Sequence, residues 1–471
     1  MKKLLICILA AVMCFSYSAC FSSGDISGSG DSSSSSSSSS GGNPPVEEVT
    51  YSTYGSFWMR NHNYETMPIA VFNGLPPKGS SYTHDYLSDP QTIVDYAAAG
   101  VNTIYSLYEL CTSKAVENAL NTCYDYDIAY VVNMGGADNL TSSSSVLHNL
   151  DRVKYYDAFA GVMVSDEPGR TMFDKIGASV DILNDYTAEA ATGLLFHTNL
   201  FPTYASARQL YYRVNSGELP AGGYSYEQYL SDYMEIIKPK SISYDFYPCR
   251  GDVGSLSGGY FENMAIVRQY ALQYNVPFWT YIQACSFGGN TRVPTEGDIL
   301  WQVNTALCYG AKGIQYFCGV TPADGGGETF VGSLFDRDGN KTQIYDYAKR
   351  ANLQIAAIDN VLMCSKSKGV IVSGGTPWED YLGIPDEDLL NSYGLLKSVS
   401  SSHTLTGCFD YKGKNAFYVV NNSTVESDEP VFTFSSSVKG YYVKDGVKTL
   451  FENSGLSLNL DEGEGVLIVI E

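Results

Sequence analysis

Two carboxylates stand side by side in AGVMVSDEPG, residues 160–169: Asp166 and Glu167, placed where an apolar run meets Pro168-Gly169. Adjacent acids at the end of a buried strand can hold different protonation states. General acid/base chemistry needs that difference, with one group giving a proton and another staying charged. The same two residues can also cap the next helix by accepting from its first N–H groups. Other apolar runs end in polar or aromatic groups as well. VNTIYSLYE closes on Glu109, and IAYVVNMGG contains Asn133. GLLFHTNLF carries His197 and Asn199, SISYDFYP carries Asp245 and Tyr247, and PFWTYIQA carries Trp279, Tyr281 and Gln283. Carboxylates can break a glycosidic bond, amides and phenols can bond hydroxyls, and an indole can stack on a sugar face. The mixture suits a carbohydrate better than a phosphate or a metal.

These groups share a cleft only if one architecture brings strand ends together. From about residue 66, short apolar runs alternate with longer stretches whose apolar residues recur every three or four positions, as in amphipathic helices. Several of those stretches, such as DPQTIVDYAAAG and TEGDILWQVNTALCYGAK, open with Asp, Ser or Thr, the residues that cap helices. Eight strands each followed by a helix over about 290 residues match the count and size of a (β/α)8 TIM barrel, whose reactive groups sit at the C-terminal strand ends. An open doubly wound sheet would place a Gly-rich phosphate turn after the first strand, and FNGLPPKGSS is not one. After about residue 360 the pattern shifts to short strands separated by turns. The expected architecture is an α/β barrel over residues 51–360, followed by a small all-β sandwich over 361–471.

Strand alternation sorts the candidates by face. In the fourth strand it turns Met163, Ser165 and Glu167 toward the axis and leaves Asp166 on the other parity. In the sixth it turns Asp245 and Tyr247 inward, and in the seventh Trp279, Tyr281 and Gln283.

The formal net charge is −22, which argues against nucleic acid as a partner, since phosphates are held by Lys and Arg. Hydrophobic residues make up 44% of the chain, enough for a large core, and 38 Tyr, 20 Phe and 4 Trp supply both packing and stacking surfaces. The five His are scattered without metal-ligand spacing, so neither a metal nor a cofactor is expected. At the N-terminus, Lys2 and Lys3 precede the run LLICILAAVMCF, too short to span a bilayer and ordered like an export signal. The following SAC, ending at Cys20, resembles the lipobox of bacterial lipoproteins, although Tyr17 stands where Leu is usual. That resemblance implies a signal peptide over residues 1–19, a lipid on Cys20, and a cell-surface protein held to the membrane by that anchor. The alternative is simple secretion. Residues 20–50 include nine consecutive serines (32–40) and behave as a flexible tether. Of eleven Cys, Cys7 and Cys14 would leave with the signal, and the eight beyond Cys20 show no CxxC spacing and read as buried thiols.

The run SDEPG … HTNLFPTYAS … SYDFYP … PFWTYIQA … RVPT … ALCYGAKGIQYF resembles the clan of (β/α)8 retaining glycoside hydrolases that share Asn-Glu-Pro at the end of strand four. It is similar to family-42-like β-galactosidases and to bacterial surface lipoproteins classed with them. Asp166-Glu167-Pro168 occupies the motif's place. The resemblance implies that the chain cleaves O-glycosidic bonds of an extracellular poly- or oligosaccharide, with Glu167 as general acid/base. The clan's nucleophile is a Glu at the end of strand seven, where this chain has Gln283, and an amide cannot serve. Asp245 is then the preferred second carboxylate. Asp166, Glu109, Asn133, His197, Asn199, Tyr247, Trp279, Tyr281 and Gln283 are expected to bind substrate. Two alternatives remain: a substrate-assisted, chitinase- or hexosaminidase-like hydrolase, and a surface protein that binds glycans without cutting them.

Overall fold

A computed structural model describes residues 66–190, 193–374 and 389–471. The signal sequence, Cys20 and the serine tether lie outside the described residues. Eight parallel strands close into a barrel: β1 (Ile69–Phe72), β2 (Thr103–Leu110), β3 (Ala129–Asn133), β4 (Phe159–Asp166), β5 (Leu195–Leu200), β6 (Ile242–Tyr244), β7 (Phe278–Gln283) and β8 (Ile314–Phe317). β8 closes the ring by pairing with β1, Ala70 opposite Gln315 and Val71 opposite Tyr316. The strands are buried on both faces, so they read as near-continuous apolar runs. Seven of the eight fall within the runs expected from the sequence, and β2 runs one residue past its run, to Leu110.

The helices are α1 (Pro90–Ala98), α2 (Lys114–Asp125), α3 (Phe173–Thr187), α4 (Ala207–Tyr212), α5 (Tyr226–Ile236), α6 (Tyr260–Tyr274), α7 (Glu296–Tyr309), α8 (Gln343–Ala356) and α9 (Asp359–Met363). Their starts follow local chemistry. Asp89 and Ser113 accept from the first turns of α1 and α2, while Ser206, Ser225 and Thr295 make reciprocal capping boxes on α4, α5 and α7. Between β3 and β4 the chain makes a 3-10 segment (Ser144–Arg152) instead of an α-helix.

The C-terminal region is all β: β9 (Ser365–Ser373), β10 (Leu396–Ser400), β11 (Thr404–Tyr411), β12 (Lys414–Asn421), β13 (Val431–Lys444), β14 (Val447–Ser457) and β15 (Gly465–Ile470). These form one connected antiparallel sheet in the order β9-β11-β12-β15-β13-β10, with β14 on β13. The long β13 changes partner along its length. Val431–Phe434 pair with β10 and Gly440–Val443 with β15. The sheet curls until its edge strands β9 and β10 touch, enclosing a core of Phe417, Val419, Phe432, Phe434 and Ile468. Its other face packs on α7, which is buried from Asp298 to Tyr309. Trp301 Nε1 donates to Asn422 Oδ1 at 2.8 Å, and Asn304 Nδ2 donates to Gly463 O at 2.8 Å. The β domain thereby fixes α7, and α7 in turn fixes the end of β7.

Candidate active site

The site is built at the C-terminal strand ends, and one register slip sets its chemistry. β4 pairs with β5 through Met163–His197, then Ser165–Thr198 and Asp166–Asn199, so Val164 is an extra residue. A one-residue slip turns every later side chain to the opposite face. Asp166 therefore faces the axis beside Asn199, contrary to the simple alternation that assigned Glu167 to that face and Asp166 to the other. The slip is accompanied by a close approach lower on the strand, where a Cβ on Gly161 would lie 1.8 Å from Leu195 O. Glu167 ends the ladder by donating its N–H to Asn199 O at 2.9 Å, with a left-handed φ of 46° that turns the chain outward. Its side chain is half-buried, near the phenols of Tyr204 and Tyr229.

A polar relay crosses the barrel end. Gln315 Nε2 donates to Ser243 Oγ at 2.9 Å, and Ser243 Oγ donates to Asn199 Oδ1 at 3.0 Å. Asn199 Nδ2 then donates to Asp245 Oδ1 at 2.9 Å and to Asp166 Oδ1 at 3.3 Å. Two carboxylates on one nitrogen can be no farther apart than those two bonds laid end to end. The Asp245 carboxyl is pushed up to about 7 by burial and next by the charge of Asp166, against the hydrogen bonds from Asn199 and Tyr247. Asp166 is also raised, by burial, against Asn199 and the positive field of Arg213. The pair thus retains a proton well above the usual carboxylate range.

Aromatic rings line one side. Tyr247 meets Phe317 at 5.1 Å and Phe287 at 5.0 Å, and Phe72 meets Tyr281 at 5.9 Å. On the other side Tyr204 is 51% exposed, its ring 5.1 Å from Phe246. The charges of Asp245 and Glu167 both act on the Tyr204 phenol, after its own desolvation, to raise it. Tyr204, Arg213, Phe287 and Phe317 were not singled out from the sequence. Tyr204 and Arg213 follow the end of β5, and only their return to the β4 end reveals them.

The structure brings Asp166, Asn199, Asp245, Tyr247 and Tyr281 together, with Glu167 at the rim. His197 lies deeper, its ring stacked on Tyr105 at 4.5 Å, and burial lowers it to about 3, so the imidazole is neutral. His197 Nε2 and the Tyr281 hydroxyl are buried and make no hydrogen bond among the described residues. Four other expectations need correction. Gln283 is fully buried and committed to backbone: it accepts from Cys249 N at 2.9 Å and donates to Cys249 O, Cys285 O and Arg292 O. It clamps loops and cannot reach a ligand. Trp279 is buried opposite Ser243 with its ring against Gly313, too deep to stack on a sugar at the mouth. Glu109 is buried and accepts from the Tyr130 hydroxyl at 2.8 Å, outside the relay. Asn133 ties the end of β3 to β2 and to its own turn, donating to Leu107 O at 2.7 Å and accepting from Gly135 N. Among the described residues no group of three or more His, Cys, Asp or Glu is arranged to hold a metal ion.

No family model and no curated protein sequence matches the chain. Solved structures do. A β-galactosidase from Bacillus circulans sp. alkalophilus superposes with a TM-score of 0.55 at 6% identity, over 86% of this chain and 99% of that one. A family 39 glycoside hydrolase from Bacteroides cellulosilyticus WH2 gives a TM-score of 0.47 at 10% identity, over 87% and 82% of the two chains. A β-galactosidase from the psychrophilic Marinomonas ef1 gives 0.45 at 11% identity, over 66% of this chain, which spans only 63% of that enzyme. The closed (β/α)8 barrel is therefore a fold that this chain shares with the Bacillus circulans β-galactosidase.

Proposed function

We propose that the protein is a glycosidase that cleaves O-glycosidic bonds of an extracellular poly- or oligosaccharide. The observation that carries this reading is the Asp166–Asn199–Asp245 bridge at the C-terminal barrel mouth, with Glu167 next to it on the rim. Glu167 protonates the leaving glycosidic oxygen. Asp245 is the second carboxylate and faces the developing oxocarbenium centre. Asp166 tunes Asp245 through their shared amide. The exposed ring of Tyr204 offers a face to the sugar and the Tyr247 hydroxyl, bonded to Asp245, a polar contact, while Tyr281 and His197 lie beneath and shape the floor.

A substrate-assisted route is favoured by one further contact, the Tyr247 hydrogen bond to Asp245. A carboxylate and a phenol held together can orient a 2-acetamido group that attacks in place of an enzyme nucleophile. Cleavage of N-acetylhexosaminides but not of the parent hexosides separates this route from the first.

The test is hydrolysis by the purified protein of aryl glycosides, oligosaccharides and polysaccharides, with Glu167→Gln and Asp245→Asn in parallel. General acid catalysis predicts a loss of about 10²–10⁴ in kcat for Glu167→Gln, and the anomer of the first product identifies the mechanism. Equal glycan binding by wild type and Glu167→Gln, with no cleavage by either, would instead mark a glycan-binding protein. Surface anchoring through Cys20 predicts that Cys20→Ser moves the protein from the membrane fraction to the medium.

A further inference from the structure

We propose that Cys285 and Cys318 form a disulfide that staples the end of β7 to the end of β8 at the floor of the cleft. The two strands run side by side, Gln283 in register with Phe317, and Ala284 N donates to Phe317 O at 2.9 Å. Cys285 follows directly, with its Sγ 3.4 Å from Phe317 O, and its thiol is in hydrogen-bond contact with the Cys318 thiol. In this register Cys318 stands beside Ala284 and Cys285 is one residue further along; a strand spacing of about 4.8 Å and a rise of about 3.3 Å per residue put such diagonal Cα atoms about 5.8 Å apart, inside the separation of about 4.4–6.8 Å that a disulfide spans. The pair is also held from above. Gly332 pairs with Cys285, Ser333 N donates to Ala284 O at 2.7 Å, and Leu334 N donates to Cys318 O at 3.4 Å. The segment after β8 thus locks both cysteines in place.

All eight described cysteines are buried. Cys308 and Cys408 make a looser approach at the junction between barrel and sheet, where the Cys308 thiol feels Cys408 only through its charge. Contact between thiols singles out Cys285 and Cys318. Both have 0% exposure, so the bond forms during folding, before the segment at 331–335 closes over them. The oxidant is a small-molecule disulfide, RSSR. One cysteine thiolate attacks it, forming a mixed disulfide and releasing RSH. The second cysteine thiolate then displaces the other RS⁻, so two protein thiols lose two electrons and two protons and RSSR becomes two RSH. The product holds the Tyr247–Phe317–Phe287 wall against Asp166, whose charge reaches Cys318.

The experiment refolds the full chain with oxidised glutathione, unfolds it in an alkylating reagent without reductant, and maps the digest by mass spectrometry. The expected result is one peptide pair joined through Cys285 and Cys318, two hydrogens lighter than the free peptides, with the other described cysteines alkylated. Reductant separates the pair and lowers Tm by a few degrees. Cys285→Ser leaves Cys318 alkylated without recruiting another partner, and circular dichroism confirms that this variant and Cys318→Ser fold. Alkylation of both cysteines in the oxidised wild type, or a Cys308–Cys408 link in their place, overturns the proposal. Neither outcome depends on glycosidase activity.

Discussion

Replacing Asp166 by Asn removes one of the two negative charges that share the Asn199 amide, with little change in shape. The Asp245 carboxyl, held up to about 7, loses the second of its two raising causes and keeps the first, burial. The bonds of 3.3 and 2.9 Å to one nitrogen limit how far apart the two oxygens can lie. At about 6 Å and an effective dielectric of about 20, two unit charges repel by about 3 kcal/mol, or about two pH units. In Asp166→Asn, Asp245 should therefore titrate near about pH 5, still above an exposed Asp because burial remains. The assay is a carboxyl-¹³C NMR titration, with the Asp245 resonance assigned by its loss in Asp245→Asn. On a cleaved aryl glycoside the acid limb of kcat/KM should move down with it, because the second carboxylate must be ionised. The same linkage fixes the sign for stability. Folded Asp245 binds its proton more tightly than an unfolded Asp, so its contribution is full below pH 3.8 and is lost as pH rises through about 7. Asp245→Asn should then be less active yet more stable above neutral pH. An Asp245 midpoint unchanged in Asp166→Asn would mean that burial alone sets it and that the two carboxylates do not interact.

Three further outcomes follow from the geometry. Burial lowers His197 from 6.5 to about 3, so the folded protein loses stability as pH falls from 6.5 towards 3. His197→Phe should flatten that slope in urea unfolding by up to about 5 kcal/mol, and an unchanged slope would refute the assignment. Gln283→Ala strands the Cys249 N–H and removes a donor from the carbonyls of Cys285 and Arg292, while Cys249 O keeps the Arg292 N–H; this should cost about 3 kcal/mol and lower Tm before any effect on substrate binding. An unshifted Tm with a raised KM would return Gln283 to the ligand. Tyr204→Ala should raise KM about tenfold with kcat nearly unchanged, as loss of a stacking face used equally in ground and transition states does. A fall in kcat alone would show that its phenol acts on the reacting centre.

The amino-acid sequence determined the barrel because its signals are local. Apolar runs, helical spacing and caps such as Asp89, Ser113 and Thr295 depend on near neighbours, and each is found where the pattern places it. Strand ends could be read as the place for chemistry, and Asp245, just past the end of β6, bonds to Asn199 and Tyr247 there. Three features belong to tertiary structure. The extra residue Val164 exists only in the pairing of β4 with β5, so counting along β4 alone turned the wrong carboxylate inward. Gln283 looked like a cleft residue until loops from Cys249 and Arg292 arrived to take all its hydrogen bonds. The curled single sheet arises because the long β13 pairs with β10 at one end and β15 at the other. Most of all, Asp166 and Asp245 are distant in sequence and meet only through Asn199. The raised Asp245 carboxyl comes from that meeting in a buried place, because burial and like charge act through space and leave no mark on the order of residues.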